Sequence, residues 1–373
     1  MRVKRARAHA AVVATVAAWV FVVAAVTTGL VGYLVVASQD GVREALRDAP
    51  PAESAVQAVT RLGPDPGDQD RAVREDVAGR SGGAPLDVHR SLAGGEDALT
   101  VPGSDEEARG VLAAYERLEE HAELVDGAWP AADGAGGAAA TEAALHATAA
   151  EALGLSTGDE ISVGETRVLV TGTWLPADPA DPFWFGEPME VAGVDGSAYG
   201  PFVVTEAALT AVEPSPRVRW RITPRAGEIT PGQIAALADA LPGLPGELEG
   251  DERIDVRGVA TSGELAATAA SLDADLARGT SVSAVPLIVL VAVAIVTGAQ
   301  VARLLGVVRE VETTLLRSRG LSAGQLVWWS VLESVAVVVP AAAIGAAATV
   351  LALRAGGGPA VDAGVAAWCA AGV

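Results

Sequence analysis

The chain has 373 residues, half of them hydrophobic, with 47 acidic side chains against 26 basic ones and a formal charge of −21. A mean hydropathy of +0.35 beside that charge requires charged and apolar stretches to be segregated along the chain. Lys4 is the only lysine and Cys369 the only cysteine. That excludes a P-loop ATPase, a Schiff-base or kinase lysine, an intrachain disulfide and a thiolate metal site within this chain.

Residues 1–9 form a basic cytoplasmic tail carrying Arg2, Lys4, Arg5 and Arg7. Residues 10–37 then contain no Asp, Glu, Lys or Arg. As a helix this run would measure roughly 40 Å, more than the ~30 Å hydrocarbon core. It also exceeds the 7–15 residues of a signal-peptide apolar region, so a retained transmembrane helix is expected over 10–37. The basic tail places its start in the cytoplasm.

Residues 38–280 are accordingly expected outside the cytoplasm. They hold 17 arginines and 43 acids, and without clustered cations no nucleic-acid partner is expected. Residues 40–49 continue the first helix until Pro50 and Pro51 stop it. Loops are expected at 63–67, 81–85 and 134–137. Residues 105–124 read as a helix, because Ala108, Val111, Leu112, Tyr115 and Leu118 share one helical face. The alanine-rich stretch 138–153 reads as another. Residues 160–163 and 166–173 are β-branched or alternating around Gly164 and Glu165, a hairpin pattern. Strands are expected at 201–205 and 218–223, and helices at 234–241 and 262–277. The result is a mixed α+β domain.

No catalytic or metal constellation emerges. His9, His89, His121 and His146 form no HExxH and no i, i+4 pair, and there is no GxSxG elbow. Residues 178–185 place Phe183, Trp184 and Phe185 together in a proline-bracketed loop. These rings either form a contact surface or plug into the domain; the plug is the favoured reading.

A second span is expected over 281–302 and a third over 325–353, the latter interrupted only by Glu333. Arg303, Arg309, Arg317 and Arg319 lie in 303–324, which is therefore cytoplasmic by the positive-inside rule. Two basic clusters thus agree on one topology. Leu304, Val307, Val308, Val311 and Leu315 share a face of a short amphipathic helix, with Arg309 and Glu312 free to pair at i, i+3. Gly320 is expected to end that helix and Ser322 to cap the next. Residues 354–373 form an outer loop and the start of a fourth span. The eleven uncharged residues 363–373 are too few to cross a bilayer, so this unit is expected to continue in a longer chain. Glu333 is expected to make an interhelical bond, to Arg303 or to backbone donors, in preference to acting as a proton or substrate relay. Pro340 is expected to kink the third helix, and Ala343 and Gly345 to allow close helix packing.

The pattern Glu312-x4-Arg317-x2-Gly320-x-Ser322-x2-Gln325, followed by Glu333 in the next span, resembles the FtsX-like permease domain family, the permeases of MacB and lipoprotein-release type ABC transporters. Residues 124–130, 153–173 and 201–205 resemble that family's outer-domain steps in the same order. The resemblance implies an α-helical membrane protein with a mixed α+β extracytoplasmic domain, like the MacB periplasmic core, inserted between transmembrane helices 1 and 2. It implies a non-catalytic permease subunit of the cell membrane that binds no cofactor itself. ATP would sit on a partner ABC ATPase subunit, and a second permease half, identical or different, would complete the membrane unit in the lipid bilayer. Arg309, Glu312, Arg317, Arg319, Gly320, Ser322 and Gln325 would form the ATPase-coupling segment, its charges offering charge-assisted contacts to the motor. The alternative is a membrane-anchored extracytoplasmic binding or sensor protein without transport coupling.

Overall fold

The computed structural model describes residues 2–102, 107–131, 140–254, 256–317 and 323–355. The chain folds as two compact units, one formed by Val42–Ala274 and the other by Met1–Gly41 together with Asp275–Val373.

Helix α1 (Arg2–Asp48) opens the chain and stops just before Pro50 and Pro51, as expected. Strand β1 (Val56–Arg61) follows. The next helix, α2 (Pro66–Arg80), has a polar sequence that hides its existence: only Gln69, Ala72, Val73 and Val77 are buried. Local chemistry starts it. The Asp65 side chain accepts a bond from the Asp68 N–H, and Pro66 occupies the first turn, where its missing N–H costs nothing.

Strands β2 (Leu86–Thr100) and β3 (Ala108–Tyr115) correct the helix expected over 105–124. Val111, Leu112, Ala113 and Ala114 are all buried, not just one helical face of them. A short continuous apolar run fits a strand covered on both faces as well as it fits a helix. Here β3 lies between β2, to which it is antiparallel, and β9 (Ala198–Val203), to which it is parallel. A 3-10 turn at Leu118–Glu120 and strand β4 (Ala122–Gly127) complete the region.

The helix expected over 138–153 is half right. Strand β5 (Thr141–His146) comes first and α3 (Ala147–Leu153) second. Intrinsic alanine helicity yields to the interior of the sheet, where β5 pairs with β7 (Thr166–Pro176) and β9 and where Ala143, Ala144, Leu145 and His146 are fully buried. Gly154 closes α3 in the left-handed conformation. The expected hairpin is present: β6 (Glu160–Val163) pairs antiparallel with β7 across Gly164 and Glu165. Strands β10 (Arg217–Pro224) and β11 (Ala260–Ser262) complete one mixed sheet in the order β11-β1-β10-β2-β3-β9-β5-β7-β4, with β6 bridging β2 and β7 and β8 (Val194–Asp195) on β9. The short α4 (Pro188–Ala192) and α5 (Glu206–Val212) flank β9 in sequence. Helix α6 (Pro231–Ala240) begins at a capping box of Thr230 and Gln233 and is followed by α7 (Leu244–Gly250).

The other unit is helical. Helices α8 (Leu265–Arg317) and α9 (Ala323–Ala355) join the first part of α1. Ala14–Asp48 and Val335–Ala352 are long and apolar enough to cross a membrane, and a shorter apolar stretch, Ile288–Gln300, lies within α8. Only 22% and 28% of the two longer windows are buried, which makes both candidate membrane spans. On α8, Val285, Ile288, Val289, Val293, Ile295 and Val296 are likewise exposed. Within this unit Val20 and Ala24 pack against Ala341 and Ala342. The expected small-residue packing holds at Gly345, where an added Cβ would lie 2.6 Å from the Phe21 carbonyl oxygen. Ala343 faces away and is exposed. Thr349 Oγ1 donates across to the Ala25 carbonyl at 3.2 Å. Pro340 lies inside α9, which remains helical on both sides of it. Replacing Gly345 by valine is expected to push α9 off α1 at a cost of about 1–3 kcal/mol, read as a lower yield of disulfide formed under mild oxidation between cysteines placed on the facing sides of the two helices.

Candidate functional site

The coupling segment inferred from sequence lies only partly within the described residues. Arg309, Glu312 and Arg317 lie on α8, and Gln325 and Glu333 on α9, but their side chains lie outside the described residues. Arg319, Gly320 and Ser322 lie outside them altogether, as do the expected helix end and cap. Arg303 is exposed. One expectation is corrected: 303–317 is not a separate short helix but the last part of the 53-residue α8. No proline and only Gly306 interrupts residues 303–317, so nothing in the sequence ends the helix there.

The α+β domain holds polar groups that the sequence did not single out. Alternation along β10 puts Val218, Trp220 and Ile222 on one face and Arg217, Arg219 and Arg221 on the other. Arg221 is 2% exposed, and so is Glu190 on α4. Arg221 donates to both carboxylate oxygens of Glu190, at 2.6 and 2.9 Å, to Gln57 Oε1 at 3.0 Å and to the Phe183 carbonyl at 2.7 Å. Arg219 adds a bond to Glu190 at 3.2 Å. This network ties β1, β10, α4 and the aromatic turn Pro182–Trp184 together. Burial pulls the Arg221 pKa down, but the adjoining Glu190 charge more than restores it. Tyr115, beside the pair, is pushed well above its usual value by burial and then by Glu190.

The aromatic loop is a plug, as favoured from sequence. Phe183 and Trp184 are buried with Trp174, Leu118 and Val203, and Phe185 is half-buried. Asp181 fastens the plug from outside: its carboxylate accepts from the Phe183 N–H at 2.9 Å and lies 2.8 Å from His121 Nδ1. Burial pushes the Asp181 pKa up, yet those two bonds hold it below the usual carboxylate value. His121 stacks on Phe183 at 3.9 Å, and His89 meets His121 edge-on at 5.1 Å. Burial first, and the neighbouring His121 second, lower the His89 pKa. Deeper still, His146 is fully buried against Trp174, and among the described residues its ring nitrogens make no well-formed hydrogen bond, only a weak polar contact with the Val191 backbone. The paired histidines and the Arg–Glu bond escape sequence inspection because β2, the 121 turn and the 181 loop meet only in the folded sheet. The arginine alternation on β10 was the one available signal.

Two open cavities flank the Glu116 and Arg117 ridge. One, of about 530 Å³, is lined in part by Tyr115, Trp129, Glu119 and Glu206. The other, of about 380 Å³, is lined in part by Arg74, His89 and Arg225. Arg117 itself sits at φ 59°, in the left-handed region that non-glycine residues rarely occupy. Among the described residues no cluster of three His, Cys, Asp or Glu side chains could hold a metal ion.

No family model matches the chain, and no curated protein matches it. Among solved structures it is similar to the crystal structure of the periplasmic region of MacB from Actinobacillus actinomycetemcomitans, with a TM-score of 0.32 and 10% identity over 56% of this chain and 88% of that one.

Proposed function

We propose that this chain is the permease subunit of an ABC transporter of the FtsX-like, mechanotransmission type. A separate ATPase hydrolyses ATP in the cytoplasm, and the α+β domain moves outside in response. The observation that carries the reading is helix length. The α+β domain lies in sequence between helices of 47 and 53 residues, more than twice the ~20 residues that a bilayer requires. At about 1.5 Å per residue they measure roughly 70 and 80 Å, so each has turns to spare beyond the membrane. Helices of this kind can carry a two-state displacement from one side to the other. The sequence pattern from Glu312 to Gln325 supports the same reading, since it supplies charges for a motor subunit at the end of α8.

Co-purification with a Walker-A-containing ATPase tests this. In the resulting complex, Arg317→Glu and Glu312→Lys are each expected to lower stimulated ATP hydrolysis at least tenfold while the amount of folded permease stays unchanged. Full stimulation in both variants would contradict coupling through this segment and favour a membrane-anchored binding protein.

A further inference from the structure

We infer that α8 carries a binding site for an anionic phospholipid of the cytoplasmic leaflet, with the headgroup at Arg303 and Gln300 and an acyl chain along Val296, Val293 and Val289. The inference rests on α8 crossing the bilayer, as proposed above, and not on an ATPase. The spacing of these five residues alternates between four and three, so they share one side of the helix. All five are exposed, the valines by 56–60%. The other side of α8 is already in use. Leu290, Ala294 and Gly298 are half-buried there, and a Cβ added at Gly298 would lie 2.9 Å from the Trp19 ring of α1.

The exposed stripe changes character along its length. Three valines come first, then an amide, then a guanidinium, which is the first charge after Arg278. From 289 to 303 the helix rises roughly 21 Å, about half of the ~40–45 Å bilayer with its headgroups. An acyl chain therefore meets the valines while phosphate and ester oxygens reach the donors of Arg303 and Gln300, and a guanidinium binds phosphate through two parallel bonds. Another transmembrane helix fits this side less well. Helices approach one another in membranes through small residues, which the α1 contact has in Ala294 and Gly298 and the stripe lacks. Such a helix would also have to bring a carboxylate to Arg303, which forms no ion pair among the described residues. An independent mark comes from α1. Arg2, Lys4, Arg5 and Arg7 lie in its first turns, on the same side of the membrane as Arg303 in the proposed topology, and basic clusters in that position draw anionic headgroups.

Native mass spectrometry of the full chain in detergent, titrated with phosphatidylglycerol and with phosphatidylcholine, tests this. We expect one tightly held phosphatidylglycerol per chain, which phosphatidylcholine does not displace. Arg303→Gln should weaken it about fivefold, the effect of one cation beside anionic lipid, while Arg303→Lys should retain most of the affinity. Arg309→Gln removes an equal charge on the opposite side of α8 by helical period, and should change binding less than about twofold. Arg303 is exposed, so its replacement leaves the fold intact. In the wild-type chain, a phosphatidylglycerol carrying a diazirine in its acyl chain should cross-link within residues 289–296. Equal weakening by Arg309→Gln would reduce the effect to diffuse charge and overturn the site. So would equal binding of phosphatidylcholine, or cross-links confined to α1 and α9. Self-association that excludes lipid and is lost in Arg303→Gln would assign the stripe to a second copy of the chain instead. Lipid binding that persists without ATPase coupling would remove only the transporter reading, whereas no phosphatidylglycerol binding by a chain whose α8 is shown to cross the membrane would remove only this inference.

Discussion

Replacing Glu190 by alanine is expected to destabilise the α+β domain by about 3–5 kcal/mol, the usual cost of stranding one member of a buried ion pair. That is a large part of the 5–15 kcal/mol typical of a domain. The reason lies in what Arg221 would lose. Its guanidinium is 2% exposed and directs two bonds at Glu190, so removal of the carboxylate leaves a buried cation without its bonded counter-charge, Glu187 acting on it more weakly. Gln57 and the Phe183 carbonyl satisfy donors but do not neutralise charge. Glu190→Gln, which keeps the shape and removes the charge, should therefore be nearly as harmful. The double variant Glu190→Leu with Arg221→Met should recover much of the loss, because no isolated charge remains. Urea unfolding of the full chain, followed by tryptophan fluorescence, measures all three, since Trp184 lies one residue from the Phe183 carbonyl that Arg221 holds. Nearly equal midpoints for wild type and Glu190→Ala would show that the network contributes little.

A second large effect is expected from acid. Burial lowers the pKa of His146 from 6.5 to about 4, and a polar contact with the Val191 backbone offsets only part of that. The folded state therefore binds a proton less readily than the unfolded chain. Stability from this residue is fully present above about pH 6.5 and is lost as the pH falls toward 4. The loss between pH 7 and pH 4.5 should be on the order of 2–3 kcal/mol. Other groups titrate in the same interval, so the comparison is with His146→Leu, which fills the site without a titrating ring. That variant should show a correspondingly smaller drop in urea midpoint between the two pH values. Identical drops would mean that His146 is not held neutral.

What the sequence revealed follows from how local each signal was. The end of α1 at two prolines and the β6–β7 hairpin around Gly164 depend on neighbouring residues, and both are legible; α6 was expected over 234–241, and its earlier start at the Thr230 and Gln233 capping box was not read. Strands β3 and β5 were not. Their apolar or alanine-rich runs satisfy helical spacing, and only pairing with β9, far along the chain, selects the strand. Helix α2 was missed for the opposite reason, because its 15 residues bury only four side chains. The proline-bracketed aromatic loop was recognisable, and its plug character was the favoured reading. Its fastenings, Asp181 to His121 and Phe183 to Arg221, join residues 60 and 38 positions apart, and no pattern in the chain announces them. The charged segment after the second apolar stretch was found by motif, but its continuity with α8 was not foreseen, because a basic cluster after a span reads as a loop.

Site-specific labelling tests the central claim, that the α+β domain and the end of α8 lie on opposite sides of one membrane. Cys369 is first replaced by serine, and single cysteines are placed at Glu165, on the β6–β7 turn, and at Arg317, at the end of α8. A membrane-impermeant maleimide applied to intact cells should modify the Glu165 position and reach the Arg317 position only after the membrane is opened. Modification of the Arg317 position from outside in sealed cells would contradict the topology, and with it the proposed contact with a cytoplasmic motor.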